Sequence, residues 1–467
     1  MQQFNNNTSL AGNLNNDFVP KSIAPKKIDP NADIKQWIWI YFLLWIFEGA
    51  LRKWFLPFLA SPLLIIRDPV ALMILYLAIK RNLFISNSYV VGMGILGVVG
   101  IITALLLGHH NLGVALFGAR IILLHFPLIF AIGRVFTYED VVKMGRITVL
   151  IAIPMAVLVA MQFYSPQSAW VNRGVGGDTA GAGFSGANGF FRPPATFSFI
   201  TGTVAFYTLS ASFIIFFWLK KGIIKPIYLY AATFALMVVI PLSISRSLFF
   251  GVLLVLVFMA IAISRKTEYL GKMIFGGAVI VLLFSILSKT SFFSTGTDAF
   301  TSRFENANEA EGGVQGVLVD RFLGGMYSAL MASGNQPFFG YGMGMGTNAG
   351  SFLMTGNTGF LIAEGEWGRV IGEMGAVMGI MLIMYRVSLS VSIAFASFKG
   401  LSKGNLLPWL LLSIVLVNLP QGQWAQPSSL GFCTLVTGLC IAALKGPTPV
   451  AKAKITKLTS TDEPQMV

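Results

Sequence analysis

Apolar runs alternate with short polar turns along most of this chain. Twelve runs read as membrane-spanning helices: 37–56, 62–79, 89–107, 112–133, 147–164, 196–219, 223–242, 247–264, 271–288, 367–390, 406–420 and 427–445. A helix needs about 20 mostly apolar residues to cross a bilayer, and none of these runs has the strict alternation of a strand. Two intervening segments are long. Residues 165–195 are rich in glycine, and 289–366 carry most of the acids that lie between spans. In the second segment, Phe322, Leu323, Met326 and Leu330 recur at helical spacing from Asp320 to Met331. That spacing predicts a short helix with one docked face. The run Gly340-Tyr341-Gly342-Met343-Gly344-Met345-Gly346 follows, so the segment reads as an ordered cap rather than a linker.

The two ends of the chain differ from the middle. Residues 1–34 are rich in Asn and Pro and lack an apolar core, which predicts a disordered tail rather than a cleavable signal peptide. Residues 447–467 are a second polar tail, with Lys452, Lys454 and Lys457. The expected organisation is tail 1–34, membrane domain 35–446 and tail 447–467. The expected fold is all-α: a polytopic integral membrane protein of about 12 transmembrane helices with one large, partly helical outer loop. Composition agrees, because only 11% of the 467 residues are charged, against about 25% in soluble proteins.

Charge then orients the spans. Lys80, Lys143, Lys220, Lys221, Lys225, Lys266, Lys272, Lys399 and Lys403 all fall in turns on one side, together with both tails. The positive-inside rule makes that side cytoplasmic, with both termini there. The net charge of +14 follows from these lysines and does not point to nucleic acid. The other side carries mainly arginine: Arg52, Arg67, Arg173, Arg192, Arg246, Arg303, Arg321 and Arg369. Arginine is a planar fork suited to phosphate or carboxylate, whereas lysine is a flexible point charge. A face rich in arginine predicts a phosphate-bearing substrate outside the cytoplasm.

Several charges fall within or at the ends of spans, where they need partners or a cavity. Arg67-Asp68 reads as a local ion pair. Arg386 reads as reaching the cytoplasmic surface. Arg120 has Glu48 as a candidate partner. Arg246, in Ser243-Ile244-Ser245-Arg246-Ser247, reads either as an anion site or as a structural hairpin. Other chemistry is thin. Cys433 and Cys440 lie seven apart in the last span and offer neither metal spacing nor a disulfide framework. His109, His110 and His125 lack further ligands near by, so no metal is expected. Glu305, Glu309 and Glu311 read as a solvated run. No nucleotide-binding GxxxxGK[ST] loop is present.

Residues 320–375 carry the densest pattern: Arg321, then Pro337 with Gly340, Gly342 and Gly344, then Glu373-Met374-Gly375. Arg192-Pro193-Pro194 and the Ser-x-Ser-Arg tract at Ser243–Arg246 precede it. In these motifs the chain resembles the O-antigen ligase and polymerase superfamily of bacterial envelope glycosyltransferases. The resemblance covers about residues 190–380. It departs at Glu364, where ligases carry His. A carboxylate can also accept or orient a hydroxyl proton, and the departure favours a polymerase over a ligase.

The resemblance implies a GT-C-like fold in the bacterial inner membrane, with the active site facing the periplasm or exterior. It implies inverting, metal-independent polymerisation of oligosaccharide units carried on polyprenyl pyrophosphate, with no cofactor. Glu364 is the implied base, with Glu366 as second candidate. Arg192, Arg246 and Arg321, with Arg303 and Arg369, would bind the pyrophosphate. Trp170, Tyr327, Tyr341 and Trp367 would bind glycan. Implied partners are the lipid-linked glycan, membrane lipid, a chain-length regulator and a flippase. A ligase of the same fold, and a flippase or transporter, stand as alternatives.

Overall fold

A computed structural model describes residues 29–84, 87–264, 271, 290–311, 324–357, 359 and 361–447. Helices dominate it. α1 (Ala32–Ala50) runs on into a π-helical turn, Leu51–Phe55, and short 3-10 turns lead to α2 (Arg67–Lys80). α3 (Ser88–Leu106) and α4 (Leu112–Arg120) form a hairpin, and α4 continues through a second π-helical turn into α5 (Phe126–Val135). α6 (Tyr138–Tyr164), α7 (Ile200–Leu219), α8 (Pro226–Leu242) and α9 (Arg246–Ser264) follow. Beyond them lie α10 (Ser291–Glu311), α11 (Gly325–Met331) and α12 (Asn348–Thr355). The chain then forms α13 (Glu366–Ser402), α14 (Leu406–Gln421) and α15 (Pro427–Ala443). Strand is confined, among the described residues, to a two-residue hairpin, β1 (Phe184–Ser185) and β2 (Phe191–Arg192).

Local sequence sets the helix starts. Asn87 and Asn111 accept bonds from Val90 N and Val114 N, and Thr137 forms a capping box with Asp140. These side chains satisfy backbone donors that a helix start leaves open. Pro226 and Pro427 occupy first turns, where a missing N–H costs nothing.

Among the described residues, seven helices are long and apolar enough to cross a membrane: Pro62–Lys80, Ser88–Leu106, Leu112–Val135, Tyr138–Tyr164, Ile200–Leu219, Arg246–Ser264 and Glu366–Ser402. Shorter apolar helices are Pro226–Leu242, Leu406–Gln421 and Pro427–Ala443. The run expected at 37–56 is the helix α1 with its π-helical turn. The run at 271–288 lies outside the described residues apart from Gly271, as do the tails up to residue 28 and from residue 448.

The turns gather at two ends. At one end Arg81 pairs with Asp33 at 2.5 Å and Lys35 with Asp140 at 2.6 Å. Lys445 donates there to Arg134 O and Phe136 O. At the other end Gly176 N donates to Arg52 O, Asn188 to Ser302 Oγ and His109 Nε2 to Met343 O. The arginine-rich loops therefore touch one another, well apart from the lysine-bearing turns.

Candidate functional site

Gly375 shapes the site. Its φ of +77° breaks α13 in the left-handed region that favours glycine. There the helix folds back on itself. In a straight helix Glu366 and Arg386 would stand about 30 Å apart; here they form a 2.7 Å ion pair. Gly379 lies against Ile371 for the same reason, since a Cβ on it would come within 2.7 Å of Ile371 Cα. The reversal leaves the Gly372 and Glu373 carbonyls without helical partners. The glycine tract supplies them: Tyr341 N donates to Gly372 O (2.8 Å) and Gly342 N to Glu373 O (3.0 Å). Side chains would block this approach, because a Cβ on Gly375 would overlap Phe338 O and one on Gly340 would overlap the Glu373 carbonyl.

Beneath the reversal lies a buried, balanced ion network. Glu366 accepts from Arg369 Nη2 (2.7 Å), Arg386 Nη1 (2.7 Å) and Trp424 N (3.1 Å). Glu373 accepts from Arg369 Nη1 (2.6 Å) and from Gly346 N (2.9 Å). Arg386 also covers the Trp424 ring at 4.4 Å, a favourable cation–π placement. Two carboxylates thus face two guanidiniums, as buried charges require.

A second network occupies α1, α2 and α4. Glu48 pairs with Arg52 (3.2 Å) and Arg67 (3.3 Å). Arg52 donates further to Ala60 O (2.7 Å) and Ser198 Oγ (3.1 Å), and Arg67 donates to Pro427 O. Asp68 accepts from Arg120 (2.8 Å) and from His125 Nε2 (2.9 Å), whose Nδ1 lies 2.9 Å from Tyr41 OH. Lys53 is buried and donates to Ala195 O at 2.6 Å.

The turn 422–428 separates the two networks. Trp424 N bonds Glu366 on one side. Pro427 O accepts from Arg67, and Ser428 O from Trp45 Nε1, on the other. Gln423 donates to Glu364 O (3.3 Å) and Gln426 accepts from Thr201 (3.3 Å). The turn meets α13 at Arg386, about 16 Å along the helix from the reversal. Helix α14, only 16 residues long, ends there. The result is a sunken, half-buried polar turn.

The site candidates divide between regions. Glu364 is exposed, whereas Glu366 and Arg369 are buried and engaged with each other. Trp367 donates to Pro420 O (3.1 Å). Tyr341 is exposed above the tract, and Tyr327 is exposed on α11. Trp170 stacks on Trp54 with centroids 5.4 Å apart, above the second network. Arg192 lies in β2 over the Phe184 ring (5.8 Å), Arg246 opens α9, and Arg303 lies in α10. Their elements touch. Gly186, in the β hairpin, abuts Ile244, Asn188 bonds Ser302, and Phe249 packs on Phe304. Arg321 lies outside the described residues.

Three expectations for the buried charges are corrected. Arg386 does not reach a surface; it is 1% exposed and pairs with Glu366. Arg120 pairs with Asp68 rather than Glu48. Arg67 and Asp68 turn away from each other, to Glu48 and Arg120 respectively. Arg369, a candidate for pyrophosphate, is held by Glu366 and Glu373. Trp424, Gln423 and Gln426 belong to the site without having stood out in the sequence, and His125 enters as a partner of Asp68 and Tyr41. Polar residues at the ends of short apolar runs were the available signal for the two glutamines. No protein-family model matches the chain, and no curated protein matches it.

Proposed function

We propose that this chain is a membrane glycosyltransferase that polymerises oligosaccharide units carried on polyprenyl pyrophosphate, at the outer face of the bacterial inner membrane. In this reading both tails and the lysine-bearing turns are cytoplasmic, and twelve spans cross the bilayer. The observation that carries the reading is the meeting of the elements that bear Arg192, Arg246 and Arg303, at the end opposite the lysine turns. Three forked cations on touching elements suit a pyrophosphate. Arg321 joins them in the proposal.

The reaction needs three things from the chain. The acceptor hydroxyl oxygen attacks C1 of the donor sugar, and Glu364 takes the hydroxyl proton. The bond from C1 to the phosphate oxygen breaks, and its electron pair leaves with the polyprenyl pyrophosphate. The arginines stabilise that departing charge. Attack from the face opposite the leaving group inverts the anomeric centre. Trp170, Tyr327, Tyr341 and Trp367 offer rings to the sugars. Glu366 and Arg369 take a positioning role, because their charges are spent on each other.

The test is the length distribution of carrier-linked glycan in the native host after deletion of the gene. Accumulation of single repeat units is expected. Long chains left on the carrier would instead point to a ligase, and an unchanged distribution would overturn the proposal.

A further inference from the structure

We infer that Phe338 and residues 343–357 are seated in the hydrocarbon of the outer leaflet, and that their exposed apolar face meets lipid rather than water. The inference takes its sidedness from the proposed reading but does not rest on the proposed chemistry. It begins with charge: between Arg321 and Glu364 the chain has no Asp, Glu, Lys, Arg or His. A water-exposed segment of that length normally carries many, at roughly one residue in four. The neighbouring outer helix α10 does carry charges, among them Asp298, Arg303 and Glu305.

Depth is the second observation. The tract runs down the α3–α4 hairpin from its tip. Gly342 meets His109 at the tip, whereas Met343 lies on Gly100 and Gly344 on Gly118, so closely that a Cβ on either helix glycine would overlap them. Gly100 and Gly118 are each six residues inside their helix, or about 9 Å below its end. Non-helical backbone is tolerated at such depth only where it is buried and its polar groups are satisfied. Here Gly342, Met343, Gly344 and Gly346 are buried. Tyr341 N, Gly342 N, Gly346 N and Thr347 N all have acceptors.

Continuity is the third. α12 packs on α4, yet Phe352 and Leu353 remain 56% and 55% exposed, and Phe338 is 67% exposed. The adjoining Leu106, Leu112 and Leu116 are also more than half exposed. They extend the apolar outer row of α3, one of the helices fit to cross a membrane. One uninterrupted apolar surface therefore runs from a spanning helix onto the loop, and the partner that suits both is lipid hydrocarbon.

Fluorescence quenching in liposomes tests this. The full chain would carry Cys433→Ser and Cys440→Ser and one new cysteine, labelled with bimane, at Leu353, Leu106 or Glu305. Phe338 is the alternative position if Leu353→Cys fails to fold. The expected result at Leu353 is quenching by spin-labelled lipid to the extent seen at Leu106. Iodide quenching there should be several-fold weaker than at Glu305. Iodide quenching equal to that at Glu305 would overturn the inference. So would protection from both quenchers, which would show a protein partner or a second copy covering the face.

Discussion

The two buried charge networks flank the same turn, 422–428, but they hold the molecule together differently. The α13 network sets Glu366 and Glu373 against Arg369 and Arg386, so its charges cancel by pairing. The α1–α2–α4 network has Glu48 and Asp68 against Arg52, Arg67, Arg120 and the nearby Lys53. Its surplus donors go to backbone carbonyls of loops: Ala60, Ala195 and Pro427. Balanced pairing fixes one helix against itself. Surplus cations instead tie separate loops to a common floor. The first network should fail when any one carboxylate is lost, and the second should yield in smaller steps.

Ranked by loss of stability, Glu366→Gln comes first. It leaves Arg369 and Arg386 buried without their shared carboxylate, a loss of about 3–5 kcal/mol, read as a lower unfolding temperature in detergent. An effect no larger than that of Arg52→Met would break the comparison. Gly375→Ala comes next. It forces a side chain into left-handed backbone and onto Phe338 O, with an expected loss of about 3 kcal/mol. Protease accessibility of residues 338–346 should rise with it; an unchanged cleavage pattern would show that the tract does not depend on the reversal.

Arg52→Met should cost less, about 1.5–2 kcal/mol, because Glu48 keeps Arg67. Its thermal unfolding, measured beside Glu366→Gln, is the direct comparison of the two networks. Ala195→Gly should gain at most about 1 kcal/mol, because Ala195 has φ +53°. Its N–H bonds Gln162 and its carbonyl accepts from Lys53 and Gln162. A loss of stability there would mean that the methyl packing outweighs the backbone strain. Glu364→Gln should leave stability within about 0.5 kcal/mol while lowering polymer synthesis about 100-fold. Full activity in that variant would remove Glu364 from the proposed chemistry.

Much of the helical layout was legible because apolar runs report burial in lipid or protein directly. The segregation of arginine from lysine marked the loops that carry Arg192, Arg246 and Arg303 but not their contacts, which come from Asn188 with Ser302, Gly186 with Ile244 and Phe249 with Phe304. The glycine tract and Glu373-x-Gly375 stood out as patterns, but their pairing was not legible. Periodicity treats 367–390 as one straight span, and on a straight span Arg386 lies far from Glu366. The reversal at one glycine changes that distance, and with it the partners of Arg369, Arg386 and Trp424. Arg67 and Asp68 show the same limit. Adjacent residues on a helix point in different directions, so neighbours in sequence found separate partners across the bundle.

The reversal at Gly375 also imposes an order on biogenesis. The tract at 337–346 leaves the ribosome before the helix that will cap it, and the Gly372 and Glu373 carbonyls of the reversed helix find their partners only when the two meet. Neither piece is complete alone. Until Tyr341 and Gly342 dock, two backbone carbonyls of the reversed helix lack their partners, each unfavourable by several kcal/mol where water is excluded. Helix α13 is therefore not finished at the moment of insertion. Its maturation waits for an earlier segment to return to it, so a stall between insertion and docking is the point at which membrane quality control would find this chain exposed.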